Sequence, residues 1–342
     1  MTYAALSLPR GFSQNSGRTV KPALAPPASP PPAALGLDAP LPPVIARAGP
    51  KARSRFVEFF AAHIRNPNTR EAYARALARF FHWAETRGLK LRQLKPVVIA
   101  AYVEELGREL SPPSVKQHLA AIRVLCDFFV LGQVLPWNPA ASVRGPKYVV
   151  KRGKTPVLTR AETRKLLDSI PVDTVIGLRD RALIGVLLFG FARISAAVGA
   201  QVCDYRPERR VVRLLEKGGK PREVPVHRDL AGYLDPYLEA AKLVGSSPLF
   251  PSVAGKTGKF TDHAMTRGDA LRMVKRRASA VGLSLEISCH SFRGTGITAY
   301  LAAGGTIERA QAMAGHESPQ TTKLYDRTTD ELTPEELERV HF

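Results

Sequence analysis

Eleven consecutive apolar residues, ALIGVLLFGFA at 182–192, run straight into Arg193. A run of this length is too short to span a bilayer, so it belongs inside a folded domain as a buried helix. The charge that ends it is costly to bury unless it is paired. Arg193 is therefore either bridged to a carboxylate or turned toward a substrate pocket.

The 342 residues are enough for two domains with real cores and a remainder. Residues 1–54 are rich in Pro and Ala and lack periodicity, which predicts a disordered or polyproline-like extension. Residues 55–140 carry helical periodicity. In NTREAYARALARFFHWAETRG, Asn68 and Glu71 form a capping pair and Gly88 closes the far end. Tyr73, Leu77, Phe80, Phe81 and Ala84 share one face, with Arg75, Arg79 and His82 opposite. A second helix starts at Pro96. A third, capped by Ser114 with Gln117 three residues later, buries Leu119, Ile122, Cys126 and Phe129. Together these make a small helical bundle. A basic linker follows over 141–156, then a mostly helical domain over 157–330 that opens on a Thr159–Glu162 capping box. Strand-like runs at 211–215 and 222–227 flank a Gly-Gly turn, predicting one hairpin. A short tail, 331–342, starts a capped helix at Thr333, Pro334 and Glu336 that needs a surface to rest on. The fold class is mainly α with a small β element.

Fifty Lys and Arg against thirty Asp and Glu leave a formal charge of +20. Such an excess favours a polyanionic partner, because each phosphate neutralised releases condensed counterions. Nucleic acid is the first candidate. A membrane surface would need a long basic amphipathic helix or a lipid anchor, and neither is found. Candidate backbone contacts are Arg75 and Arg79, Lys116 and Arg123, and Lys151 and Arg152 in the linker. Solvated charge on a helix face is the competing reading for each. Cys126, Cys203 and Cys289 have no paired spacing, which points to a reducing, cytoplasmic setting and to neither a disulfide framework nor a zinc site.

Near the end, AGHESPQTTKLYDR at 314–327 sets His316 nine residues before Tyr325. Ser318 is a helix N-cap and Pro319 the first helical residue, so a short helix is expected to run through Tyr325. Gly315 ends the preceding helix and leaves His316 in the turn. Upstream, CHSFRGTGITAYL places His290 and Arg293 on one helical face. A guanidinium offers a planar fork to two phosphate oxygens, and an imidazole can pass a proton. Lys217 sits at the hairpin tip. Taken singly, each position also reads as ordinary structure: a satisfied turn histidine, a core aromatic, a solvated lysine. Taken together, two arginines, a lysine and two histidines surround a tyrosine with no cluster of Asp and Glu to hold Mg²⁺. That combination points to phosphoryl transfer without a metal or other cofactor, with tyrosine as nucleophile.

The set Arg193, Lys217, His290-Ser-Phe-Arg293, Gly315-His316 and Tyr325, in this order and spacing, resembles the tyrosine recombinases, or phage integrase family. EKGGKPREVP is similar to the family's lysine hairpin. NTREAYARALARFFHW with SPPSVKQHLAAIRVLCDFF looks like its N-terminal core-binding, SAM-like domain. The resemblance covers about residues 56–330. It implies a DNA-cleaving and rejoining enzyme in which Tyr325 attacks the scissile phosphate to give a 3′-phosphotyrosyl link and a free 5′-hydroxyl. Arg193 and Arg293 would clamp the non-bridging oxygens, His316 would hydrogen-bond one of them, Lys217 would protonate the leaving oxygen, and His290 would assist proton transfer from the tyrosine. It also implies a homotetramer on a double-stranded DNA recombination site, exchange through a Holliday junction, a cytoplasmic, nucleoid-associated location, and room for an accessory or directionality protein.

Three positions depart from the family pattern. Ala196 stands where an acidic residue usually follows the first arginine, so Arg193 must be oriented in some other way. Gly294 replaces a histidine after the second arginine, and Ala314 a leucine before Gly315. The alternatives are a type IB topoisomerase or a resolvase of hairpin ends with the same chemistry, and an architectural DNA-binding protein without chemistry.

Overall fold

A computed structural model of the chain describes residues 41–149, 153–216, 218–255 and 257–326. They form two compact units that divide between Tyr148 and Val149, inside the segment read as a basic linker. Lys151 and Arg152 of that linker, Lys217 and the tail at 331–342 lie outside the described residues.

The first unit is all helical: α1 (Pro43–Ala46), α2 (Pro50–Glu58), α3 (Pro67–Thr86), α4 (Pro96–Gly107) and α5 (Pro112–Leu131). Part of the expected disordered extension is therefore corrected. Within it Pro43–Ala46 and the start of Pro50–Glu58 are helical, joined by a turn, and Val44, Ile45 and Ala52 are buried in the core with Phe56 and Phe59. Pro43 and Pro50 each sit in the first turn, where the missing N–H costs nothing, so the prolines here start helices and do not extend the chain. A single π-helical turn, Phe59–His63, ends α2.

Two caps also move. α3 is capped by Asn66, two positions before the expected Asn68; its side chain accepts from the N–H groups of Asn68 and Thr69, because Pro67 supplies the first helical residue. α5 begins after Ser111, with Pro112 and Pro113 in its first turn, three residues ahead of the expected cap at Ser114. The apolar faces follow the 3.6-residue period: Leu77, Phe80, Phe81 and Ala84 on α3 meet Leu119, Ile122, Cys126 and Phe129 on α5, all buried. Tyr73 packs at the rim of this core.

The second unit is built around α7 (Val175–Phe189), with α6 (Arg160–Asp168) and α8 (Ile194–Val198) beside it in the chain. Every residue from Ala182 to Leu188 is buried, as the apolar run requires. The helix stops short of Arg193, however. Gly190 caps it and Phe191 takes a left-handed conformation, φ 47°, which turns the chain before Arg193 at the head of α8. The Thr159–Glu162 capping box forms, with the Thr159 N–H donating to the Glu162 carboxylate at 2.8 Å.

The hairpin is present as β2 (Val211–Leu215) and β3 (Pro221–Pro225), with β1 (Tyr205–Arg206) added to make an antiparallel sheet in the order β1-β2-β3. Val212 faces Val224 in register, and Val212, Leu214 and Val224 point into the core. α9 (Arg228–Ala241) follows, then a second hairpin, β4 (Pro251–Val253) and β5 (Phe260–Ala264), that the sequence reading lacks. The last helices are α10 (Arg267–Ala280), α11 (Cys289–Ala302), α12 (Ile307–Ala314) and α13 (Pro319–Lys323). α11 lies directly on α7. A Cβ on Gly296 would come within 1.9 Å of the Leu188 carbonyl, so that crossing admits no side chain at position 296. No helix among the described residues is long and apolar enough to cross a membrane.

Candidate active site

The C-terminal end of α12 organises the site. Helix C-termini leave backbone carbonyls without intrahelical partners, and these carry the negative end of the helix dipole. Here three consecutive carbonyls each accept from a different arginine: Met313 from Arg222 Nη1, Ala314 from Arg293 Nη2 at 2.7 Å, and Gly315 from Arg193 Nη2 at 3.1 Å. Gly315 closes the helix with φ 59°, a left-handed value that glycine adopts without strain. The expected cap is thus also the residue that lets the chain turn and display its carbonyl.

Arg293 is fully buried on α11. Besides Ala314 it donates through Nη1 to the carbonyl of Phe191, the residue held left-handed, while its Nε has no partner among the described residues. Among the described residues no carboxylate touches it. Burial, with the nearby charge of Arg193, lowers its pKa to about 10, so it stays charged at neutral pH. A buried cation with no carboxylate paired directly to it is costly, and an anion beside it would relieve the cost. Arg193 differs: a third of its side chain is exposed, and Nη1 meets Glu216 Oε2 at 2.5 Å. Of the two readings open for Arg193, pairing with a carboxylate is the one observed, and the exposed part of its side chain stays open to solvent.

Tyr325 is buried, and its hydroxyl lies 2.8 Å from His290 Nε2. Desolvation pushes the phenol pKa above its ordinary value while the charges of Arg293 and Arg193 pull it back. Desolvation and the same two arginines hold His290 below the usual histidine range, so its ring is neutral at pH 7 and able to accept a proton. The His316 ring stacks on the Tyr325 ring, centroids 5.9 Å apart and planes 11° from parallel. Burial first, then Arg293 and Arg193, lowers the His316 pKa to about 4. Its Nδ1 is 2.9 Å from the hydroxyl of Thr322, a fully buried threonine.

Ser318 caps α13, accepting from the N–H of Gln320, with Pro319 as first helical residue. The helix does not run through Tyr325 as the spacing suggests. It ends at Lys323, because the Tyr325 N–H bonds back to Thr322 and its carbonyl accepts from the Thr298 hydroxyl of α11 at 3.0 Å. The tyrosine is therefore pinned to α11 by its backbone, beside His290 and Arg293. Gly294 gives it room: a Cβ there would stand 3.2 Å from Tyr325 Cε1.

Five of the six expected site residues, Arg193, His290, Arg293, His316 and Tyr325, thus come together. The sixth, Lys217, lies outside the described residues. Sequence reading missed Glu216, Arg222 and Thr322. A carboxylate beside the hairpin lysine was the one visible signal for Glu216. Among the described residues, no group of three or more His, Cys, Asp or Glu is arranged to hold a metal ion.

The other candidate contacts are more dispersed. Arg75 is exposed and 3.4 Å from Glu71 one helical turn away, Arg79 pairs with Glu109, and Lys116 is exposed. Arg123 is half-buried, and its guanidinium donates to the carbonyls of Ala140 and Val143, which staples the segment after α5.

A family model described as the phage integrase family matches residues 156–331, and one described as the phage integrase N-terminal SAM-like domain matches 55–131. The chain belongs to the phage integrase family. Among the integrase's relatives, tyrosine recombinase XerD of Corynebacterium glutamicum is 30% identical over 288 residues, covering 80% of this chain and 92% of the relative. Tyrosine recombinase XerC of Myxococcus xanthus is 29% identical over 295 residues, covering 84% and 98%. The fold matches that of XerH site-specific recombinase in a post-cleavage complex with palindromic difH substrate, with TM-score 0.63, 20% identity, and 82% of each chain covered. It also matches a lambda integrase dimer bound to a COC′ core site, with TM-score 0.62, 20% identity, and 82% and 79% covered. The integrase is a DNA strand-transferring enzyme of the site-specific tyrosine recombinase type, and the mainly helical fold expected of it is the one observed.

Proposed function

We propose that this integrase cleaves and rejoins double-stranded DNA at a specific site through a 3′-phosphotyrosyl intermediate at Tyr325. The observation that carries the reading is the 2.8 Å contact between the Tyr325 hydroxyl and a neutral His290, beside a buried Arg293 that pairs directly with no carboxylate among the described residues. A phenol with its pKa at or above about 10 does not ionise at pH 7 on its own. As the Tyr325 oxygen attacks phosphorus, its proton passes to His290 Nε2, the new P–O bond forms, and the bond to the 5′-oxygen breaks. Arg193 and Arg293 offset the charge that grows on the non-bridging oxygens, and His316 donates to one of them. Lys217, which the resemblance makes the acid for the departing 5′-oxygen, completes the proton balance. No step needs a metal.

Two or more copies would act together on the site, as in the lambda integrase dimer named above. A homotetramer that exchanges strands through a Holliday junction is the assembly proposed here. The programme it serves is integration, excision or resolution of DNA. The unit with helices α1 to α5 is proposed as the core-binding domain, with Arg75, Arg79, Lys116, Lys151 and Arg152 along the phosphate backbone.

The test is covalent trapping in EDTA on nicked duplexes of randomised sequence, with the attached DNA then sequenced. Wild type is expected to hold DNA through a 3′ end, and Tyr325→Phe to bind DNA but attach none. Attachment by Tyr325→Phe would show that the nucleophile is another residue. Binding by both proteins with attachment by neither would favour an architectural role.

A further inference from the structure

Glu216 immediately follows β2, and only 9% of its side chain is exposed. Oε2 receives Arg193 Nη1 at 2.5 Å, and Oε1 receives Arg222 through Nη2 at 2.7 Å and Nε at 3.1 Å. One carboxylate thus bridges two guanidinium groups. Burial alone would raise its pKa, but the hydrogen bonds and charges of Arg222 and Arg193 more than reverse this and hold it below the ordinary carboxylate range. It is ionised wherever the protein is folded near neutral pH.

The two arginines use Glu216 differently. Arg222 is 13% exposed and has four of its five donors engaged among the described residues: Nε and Nη2 face Glu216, and Nη1 faces the carbonyls of Met313 and Gly190. It serves to fasten Glu216, and with it the hairpin, to the end of α12. Arg193 has two of its five donors engaged among the described residues, one by Glu216 and one by Gly315, and keeps a third of its side chain exposed. A guanidinium gripped along one edge by a carboxylate and a carbonyl presents its remaining donors in a fixed plane, which is the condition for two-pronged binding of a phosphate. The helix that Arg193 heads offers no such grip, since the residue one turn on is Ala196, buried and apolar.

We infer that Glu216 is the positioning residue for Arg193, aiming it at the substrate phosphate from the hairpin in place of a carboxylate on helix α8. This rests on the reading of Arg193 as a phosphate clamp. Without Glu216, Arg193 keeps only the Gly315 carbonyl and, among the described residues, is left beside Arg293 and Arg222 with no paired carboxylate, so it turns toward solvent. The effect falls on the reaction and spares the binding of DNA, most of which comes from contacts elsewhere along the backbone.

The experiment uses the full chain and the duplex recovered by trapping. It measures the rate of covalent attachment and DNA affinity for wild type, Glu216→Gln, Glu216→Asp and Arg193→Ala. Each protein is also tested on the same duplex with a methylphosphonate at the scissile position. Glu216→Gln keeps the side-chain shape and is expected to attach about 10²-fold more slowly, with affinity no weaker than wild type. Glu216→Asp keeps the charge and recovers to within about ten-fold. On the methylphosphonate the non-bridging charge is gone, so the gap between Glu216→Gln and wild type shrinks to about three-fold or less. Wild-type speed for Glu216→Gln beside a slow Arg193→Ala would overturn the inference and leave the clamp standing, and equal slowing on both substrates would overturn it in favour of a purely structural role. Wild-type speed for Arg193→Ala would instead overturn the clamp itself, and the inference with it.

Discussion

The hydroxyl of Tyr325 and Nε2 of His290 lie 2.8 Å apart, joining a residue in the turn after α13 to the start of α11. The pair fixes how the rate of covalent attachment should depend on pH. His290 must be neutral to accept the phenol proton, and desolvation with the charges of Arg293 and Arg193 places its pKa below the ordinary 6.5. As pH falls through that value the ring gains a proton and the rate drops. The acid limb of the second-order rate constant, which reports groups of the free protein, is expected below pH 6.5. His316, with its pKa near 4, does not move the limb above about pH 5. His290→Ala should flatten the limb and lower the plateau about 10²-fold. A limb centred above pH 7, or one unchanged in His290→Ala, would assign the proton acceptor elsewhere.

The second prediction concerns the tautomer of His316. A neutral imidazole has one N–H, and for Nε2 to donate to a phosphate oxygen Nδ1 must be the acceptor. The Thr322 hydroxyl, 2.9 Å from Nδ1 and fully buried, is placed to donate to it. Thr322→Val removes that donor with little change of shape and frees the ring to adopt the other tautomer. Attachment is expected to slow by about ten-fold, and by less than in His316→Ala. Nitrogen chemical shifts of the ring report the tautomer directly, and a wild-type ring protonated at Nδ1 would contradict the assignment.

How much of this was legible in the sequence depends on whether a feature rests on local or distant contacts. The Thr159 and Ser318 caps, the Gly315 stop and the buried core of α7 were all readable, because each is decided by neighbours within about one helical turn. The caps at Asn68 and Ser114 failed for a local reason, since a proline upstream in each case moved the first turn. What brings Arg193, Arg222 and Arg293 onto three adjacent carbonyls is tertiary, with partners 21 to 122 residues apart, and no spacing announces it. The helical order of Pro43–Ala46 and Pro50–Glu58 was hidden for a related reason: their apolar residues are few, and their value comes from packing on the core of α3 and α5.

Gly294 supports a third prediction. A Cβ at this position would stand 3.2 Å from both Tyr325 Cε1 and Val157 Cγ1, so alanine fits only if those neighbours yield a few tenths of an ångström, and an imidazole adds a whole ring beyond that Cβ. Gly294→Ala should keep attachment within about ten-fold of wild type. Gly294→His should displace the Tyr325 ring and slow attachment by about 10²-fold or more, as expected when a reacting atom moves by about 1 Å. Equal rates for the two variants would mean that Tyr325 does not react from its place against α11.

The last prediction joins stability to the site. Gly296 lies three residues beyond Arg293 on α11, and its missing side chain lets α11 approach α7 until a Cβ would reach 1.9 Å from the Leu188 carbonyl. The atom in the way is backbone, which cannot rotate aside, and the ring of Phe191 is 2.9 Å from the same point. Gly296→Ala must therefore push the helices apart, an overpacking cost of about 1–3 kcal/mol or more. That outweighs the gain of about 1 kcal/mol that alanine brings to a helix interior. In urea the transition midpoint should fall with no change in slope. Because Arg293 donates to the Phe191 carbonyl across the same crossing, the variant should also lose attachment activity under conditions where it is fully folded. A more stable Gly296→Ala protein would show that the two helices are not in backbone contact, and would remove the reason for Arg293 being buried where it is.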